Sequence, residues 1–148
     1  MELALHPMVI HFPIALSFLW PMVDALGLAL RRPDVSRVGA GLLALSVPAA
    51  LVATLTGQSA YEAAIERGYA AEVLDRHADW AALIPWALLV VLAVRTLGVR
   101  RAGTKAHLLA IILGALVSGL VAVSGYEGGQ LSHGIGVGFG RASVSSKG

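Results

Sequence analysis

The sequence predicts an all-α protein, a four-helix transmembrane bundle, and three observations predict it. Of the 148 residues, 57% are hydrophobic and 14% charged, with a mean hydropathy of +0.76. That composition is too apolar to cover the surface of a soluble domain. Four apolar segments each come near the ~20 residues a spanning helix requires. The connections between them alternate between short basic and longer acidic, which is how charge sets topology.

The first helix is expected over about 8–30 and the second over 38–59. The third is expected over 71–97 and the fourth over 107–125, in a single domain of residues 1–148 with a glycine-rich tail over 126–148. RRPDVSR joins the first pair and GVRRAGTK the last pair, so the positive-inside rule assigns both to the cytoplasm. The middle connection, QSAYEAAIERGYAAEVLDRHAD, is acid-rich and partly helical, with Gly68 as its break. Both termini then lie on the outer side. No basic n-region or A-x-A site marks the opening as a cleavable signal. Trp80 and Trp86 suit the outer interface and the upper bundle.

Packing signals favour a tight bundle. Ala110, Gly114, Ser118 and Ala122 recur at i, i+4 spacing on the fourth helix, as do Ala49, Ala53 and Gly57 on the second. Such faces let backbones, a flat cofactor or a second copy approach closely, and helix contact is the plainer reading. Pro13, Pro21, Pro48 and Pro85 are tolerated where neighbours satisfy the carbonyls they free. Asp24 and Arg95 fall toward the cytoplasmic helix ends, as a buried pair or as separate snorkelling groups, with structural roles.

Function is sought among the histidines, which are costly in lipid. His6, His11, His77 and His133 fall on the outer side, while His107 stands apart beside Lys105 as an interfacial residue. His6 and His11 would point ~140° apart on one helix and so do not form a single pair. Pro7 places His6 in the flanking segment, leaving His11 as the deeper ligand. Haem b asks for two axial nitrogens from different helices. Zinc or copper would need three or four converging nitrogens. The acids Glu62, Asp75, Asp79 and Glu127 are candidates to orient the imidazoles. Structural roles compete throughout: His6 and His133 as interfacial caps, and His77 as a residue of a polar stretch.

The absence of cysteine from the sequence excludes disulfides, iron–sulfur clusters and C-x-x-C-H haem attachment. No basic face with aromatic interleaving suggests nucleic acid. The tail GYEGGQLSHGIGVGFG lacks the context of a phosphate-binding loop. Its glycines are expected to end the fourth helix and fold the chain over the outer mouth, delivering His133.

HPMVIHFPIAL at the first helix, a TG near the end of the second, and GG…L…HG-I-G-V after the fourth resemble the domain of unknown function 2231 family. The resemblance covers essentially the whole chain and implies a small bacterial membrane protein of four helices. It carries over to His6, His11 and His133, with His77 fitting less securely. The architecture is similar to membrane haem-b cytochromes, an analogy only. Where many family members carry a histidine this chain has Tyr126, which disfavours two haems.

These readings converge on an integral membrane haem-b electron-transfer protein, or redox-complex subunit, of the bacterial inner membrane. His11 with His77 or His133 would ligate the iron, and His6 would complete the site. Partners would be lipid and a quinone or redox subunit, and the chain would not be an enzyme alone. A copper, zinc or iron protein and a cofactor-free structural subunit are the competing readings.

Overall fold

The computed structural model describes residues 2–134, with side chains over 6–131 apart from Val73. All described secondary structure is helical, with four helices long and apolar enough to cross a membrane. The first crossing consists of α1 (Glu2–Val9) and α2 (His11–Ala29). They join at Ile10 because Pro13 has no N–H to give the Val9 carbonyl. The chain stays in register there, with Ile10 N–H bonded to the His6 carbonyl at 3.1 Å.

Helix α3 (Pro33–Glu66) opens with proline at its first position, where a missing N–H costs nothing. It ends at Gly68, whose φ of +88° suits glycine. Helix α4 (Ala71–Ala93) passes through a π turn (Val94–Gly98) into the short α5 (Val99–Ala102). Helix α6 (Thr104–Gly134) follows after a turn at Gly103. Consecutive crossings pack side by side, and α2 closes the ring against α6. Trp20, Leu43, Leu88, Val91, Ala110 and Val117 form the central core. Outside it, Leu55, Trp86, Val90, Ile112 and Leu116 are more than half exposed. An apolar exterior of this kind is stable only in lipid.

The fourth crossing departs from expectation. Its helix continues through Gly125, Gly128 and Gly129 to Gly134, where glycine density predicted a stop. Each glycine costs about 1 kcal/mol of helix propensity, which packing can offset. The second crossing also exceeds its expected 38–59, beginning at Pro33 and ending at Glu66. At 1.5 Å per residue it is about 51 Å long, well beyond a ~30 Å hydrocarbon core. Its final turns, with α4 and α6, build a second small core of Ala60, Ala64 and Leu74.

Two expected packing devices are present. Pro21 frees the Ser17 carbonyl, and Ser118 Oγ donates to that carbonyl at 2.8 Å. Gly114 accepts the buried Trp20 indole where a Cβ would collide with it. The small-residue face of α6 therefore packs on α2 through Ala110, Gly114 and Ser118, whereas Ala122 is exposed.

Candidate functional site

Two polar sites lie near opposite ends of the bundle. Along α6 they are marked by His107 and Gly128, about 31 Å apart at 1.5 Å per residue. That separation is close to the hydrocarbon thickness of a bilayer.

The first site is a histidine pair. His6 of α1 and His77 of α4 have ring centroids 6.4 Å apart and planes inclined at 68°. His77 Nδ1 lies 3.0 Å from the Ser124 carbonyl oxygen. A carbonyl only accepts, so His77 Nδ1 carries the proton and Nε2 presents a lone pair. His6 Nδ1 lies 3.1 Å from Thr56 Oγ1. The Thr56 hydroxyl proton is already donated to the Ala53 carbonyl at 3.0 Å. With the hydroxyl proton so placed, His6 Nδ1 is assigned as the donor to Thr56, and in that neutral tautomer Nε2 carries a lone pair.

Assigned this way, both imidazoles match the tautomer of a metal-ligating histidine, whose other ring nitrogen donates to a fixed oxygen. Each also rests against a glycine. A Cβ at Gly57 would come 3.0 Å from His6 Cε1, and one at Gly128 would come 3.0 Å from His77 Cε1. Gly128 explains why the fourth helix keeps a glycine there: a larger residue would displace the ring. The TG motif is accordingly Thr56, which orients His6, and Gly57, which makes room for it.

The orienting groups are not the expected acids. Glu62 accepts from Gln58 Nε2 at 3.1 Å, Asp75 accepts from the Tyr61 hydroxyl at 2.7 Å, and Glu127 pairs with Arg76 at 3.3 Å. Asp79 instead lines a surface cleft with Trp80. A hydroxyl and a backbone carbonyl serve the imidazoles, and neither stands out in sequence.

His11 is not part of the pair. Helix α1 begins before His6 and continues almost directly into α2, so the ~140° separation applies. His6 faces α3, while His11 is exposed on the outside of the bundle. The deeper position expected to make His11 the leading ligand instead turns it outward. The backbone of His133 lies in the last turn of α6, and its side chain is outside the described residues. Among the described residues, no three histidines or acids converge as a metal cluster.

The second site is a buried ionic network, and His107 belongs to it. Asp24 is fully buried, with Arg95 Nε at 2.6 Å and Nη2 at 3.0 Å from its carboxylate. Ser36 Oγ and His107 Nε2, the latter at 2.9 Å, also donate to it. His107 is only 8% exposed, a correction to its expected interfacial place. One turn into α6, it points inward because Gly27 and Gly39 let α2 and α3 close around Asp24. A Cβ at Gly39 would meet Asp24, and one at Gly27 would strike the Ser36 backbone. The Asp24–Arg95 pair takes the first of its two expected forms. The π turn carries Arg95, and such turns re-aim a side chain within a continuous helix.

A family model described as a predicted membrane protein, DUF2231, matches residues 2–141. The chain belongs to this family. The match takes in all four crossings of this DUF2231 protein and both polar sites. No curated protein and no solved structure shows significant similarity to it.

Proposed function

We propose that this DUF2231 protein is a membrane haem-b electron-transfer subunit in which His6 and His77 are the two iron ligands. The observation that carries the reading is the paired tautomer: two imidazoles from different helices, each with Nδ1–H tied to an oxygen and Nε2 unprotonated. The two rings come from different helices and their centroids stand 6.4 Å apart, close enough for one bound iron to take a nitrogen from each. Two axial nitrogens suffice for haem, while zinc or copper asks for more.

In this reading, Thr56 and the Ser124 carbonyl hold the imidazole orientation and raise the basicity of Nε2. Gly57 and Gly128 keep the approach to both rings clear. Bound haem b would supply one-electron chemistry between ferric and ferrous iron. The site sits near one end of the crossings, a position suited to exchange between a membrane quinol and a redox partner subunit at the bilayer surface. A bacterial inner membrane would provide both. The chain would serve as a redox subunit, with substrate chemistry left to its partner.

The test is expression with ample haem supply, followed by visible spectra and metal analysis of the purified protein. About one haem per chain is expected, with a Soret band. Protein lacking haem but holding stoichiometric copper, zinc or iron would replace this reading with a bare-metal site. Protein with neither would leave the histidines as structural groups and refute it.

A further inference from the structure

The second polar site opens onto a cleft of about 400 Å³ whose lining includes Gly27, Arg31, Ser36, Arg37, Arg95 and His107. Of the three arginines in this cleft Arg95 is already paired with Asp24, which leaves Arg31 and Arg37 at a membrane boundary with no carboxylate bound to them. Asp24 is held by Arg95, Ser36 and His107. Asp34 takes two hydrogen bonds from Arg32, at 3.0 and 2.7 Å. Arg31 and Arg37 are both exposed and, among the described residues, neither has a carboxylate within ion-pair distance, Asp34 attracting Arg37 only at longer range.

The placement of Arg31 is the unusual observation. Helix α2 ends with Arg32 N–H bonded to the Gly27 carbonyl at 2.8 Å and Arg31 N–H bonded to the Leu28 carbonyl at 3.2 Å. This is a Schellman ending, whose left-handed position normally belongs to glycine. Here Arg31 occupies it, with φ +54°, the one non-glycine residue with positive φ among those described. An L-residue there is strained, because its Cβ crowds the following carbonyl oxygen. Glycine would end the helix with less strain, whereas arginine at this position adds a guanidinium to the cleft lining.

The surroundings show what chemistry would fill it. Leu26, Leu30, Val38 and Leu97 near the cleft are each more than half exposed, an apolar surface for hydrocarbon chains. A ligand with an anionic head and apolar tails matches both parts. We propose that this cleft binds the phosphodiester headgroup of an anionic membrane phospholipid, held by Arg31 and Arg37. Arg95 forms the floor of the site and is itself fixed by Asp24. Guanidinium donors suit phosphate oxygens by geometry as well as charge. Basic pockets between crossings are a general mode of anionic-lipid recognition.

The test compares detergent-purified full chain titrated with phosphatidylglycerol or phosphatidylcholine, read by native mass spectrometry and thermal unfolding. Saturable, stabilising binding is expected for phosphatidylglycerol alone. The variant R31G/R37Q should weaken it at least about tenfold, the loss of one or two charge-assisted hydrogen bonds. R100Q/R101Q removes equal charge from exposed positions outside the cleft lining and should change binding less than about twofold. R31G alone should unfold at a higher temperature than wild type without lipid, because glycine relieves the turn, while still losing lipid affinity. Equal binding of both lipids, equal loss in the two double variants, or a destabilised R31G would overturn the proposal. So would displacement of the lipid by low-millimolar inorganic phosphate, which would mark a site for a soluble anion. None of these readouts depends on haem.

Discussion

Replacing Arg95 by methionine removes the principal countercharge of a fully buried carboxylate. Asp24 would retain the Ser36 hydroxyl and His107 Nε2 as donors but lose both guanidinium bonds, at 2.6 and 3.0 Å. Breaking a buried ion pair by removing one partner typically costs about 3–5 kcal/mol, because the survivor is left charged and dry. Asp24→Leu should cost less, about 1–3 kcal/mol, since Arg95 lies near a helix end and can extend its charge toward water. The double variant D24L/R95M removes both charges and leaves Ser36 and His107 short of an acceptor, a loss of about 1–3 kcal/mol. The single losses together exceed that of the double variant by at least about 1 kcal/mol and by about 4 kcal/mol at mid-range, which is the coupling between the two positions. Equilibrium unfolding in mixed detergent micelles measures all four proteins. R95M within about 1 kcal/mol of wild type, or additive single losses, would refute the view that this network is a coupled charge pair.

Other consequences are local to single residues. Thr56→Val removes the acceptor that orients His6 and should lower haem affinity about 10–100-fold, measured by titration of the haem-free protein. Gly57→Val and Gly128→Val should reduce haem occupancy while leaving secondary structure by circular dichroism unchanged, because even a Cβ added at either position would come 3.0 Å from its ring. Gly114→Ala would press a methyl group into the buried Trp20 ring and should destabilise the bundle by about 1–3 kcal/mol. Gly119→Ala has no neighbour within 4 Å and should be neutral or stabilising by up to about 1 kcal/mol. Unfolding of the two alanine variants side by side checks both signs.

Four crossings, the break at Gly68 and the use of Pro21 were legible in the sequence because each follows from one local property. Apolar length marks a span, glycine marks a positive-φ turn, and proline frees a carbonyl that a nearby hydroxyl can take. The site was legible only in part. His6 and His77 were both candidates, but their pairing depends on the rotation of two helices, which hydropathy does not encode. Because α1 already includes His6, His11 rotates outward, and the most apolar setting belongs to a histidine outside the pair. His107 looked interfacial since it opens a span beside Lys105. Its burial depends on Gly27 and Gly39, which draw α2 and α3 together around Asp24. The run of glycines after Ser124 read as a terminator, yet Gly128 lies within a helix whose neighbour His77 requires its missing side chain.

The most direct test of the histidine pair is a substitution series read by the visible spectrum of haem-loaded protein. His6→Gly and His77→Gly should each abolish the low-spin two-histidine spectrum, with added imidazole restoring it, while His11→Ala leaves it intact. Loss of that spectrum in His11→Ala, with His6→Gly and His77→Gly unaffected, would contradict the assignment and return the site to the outward face of α2.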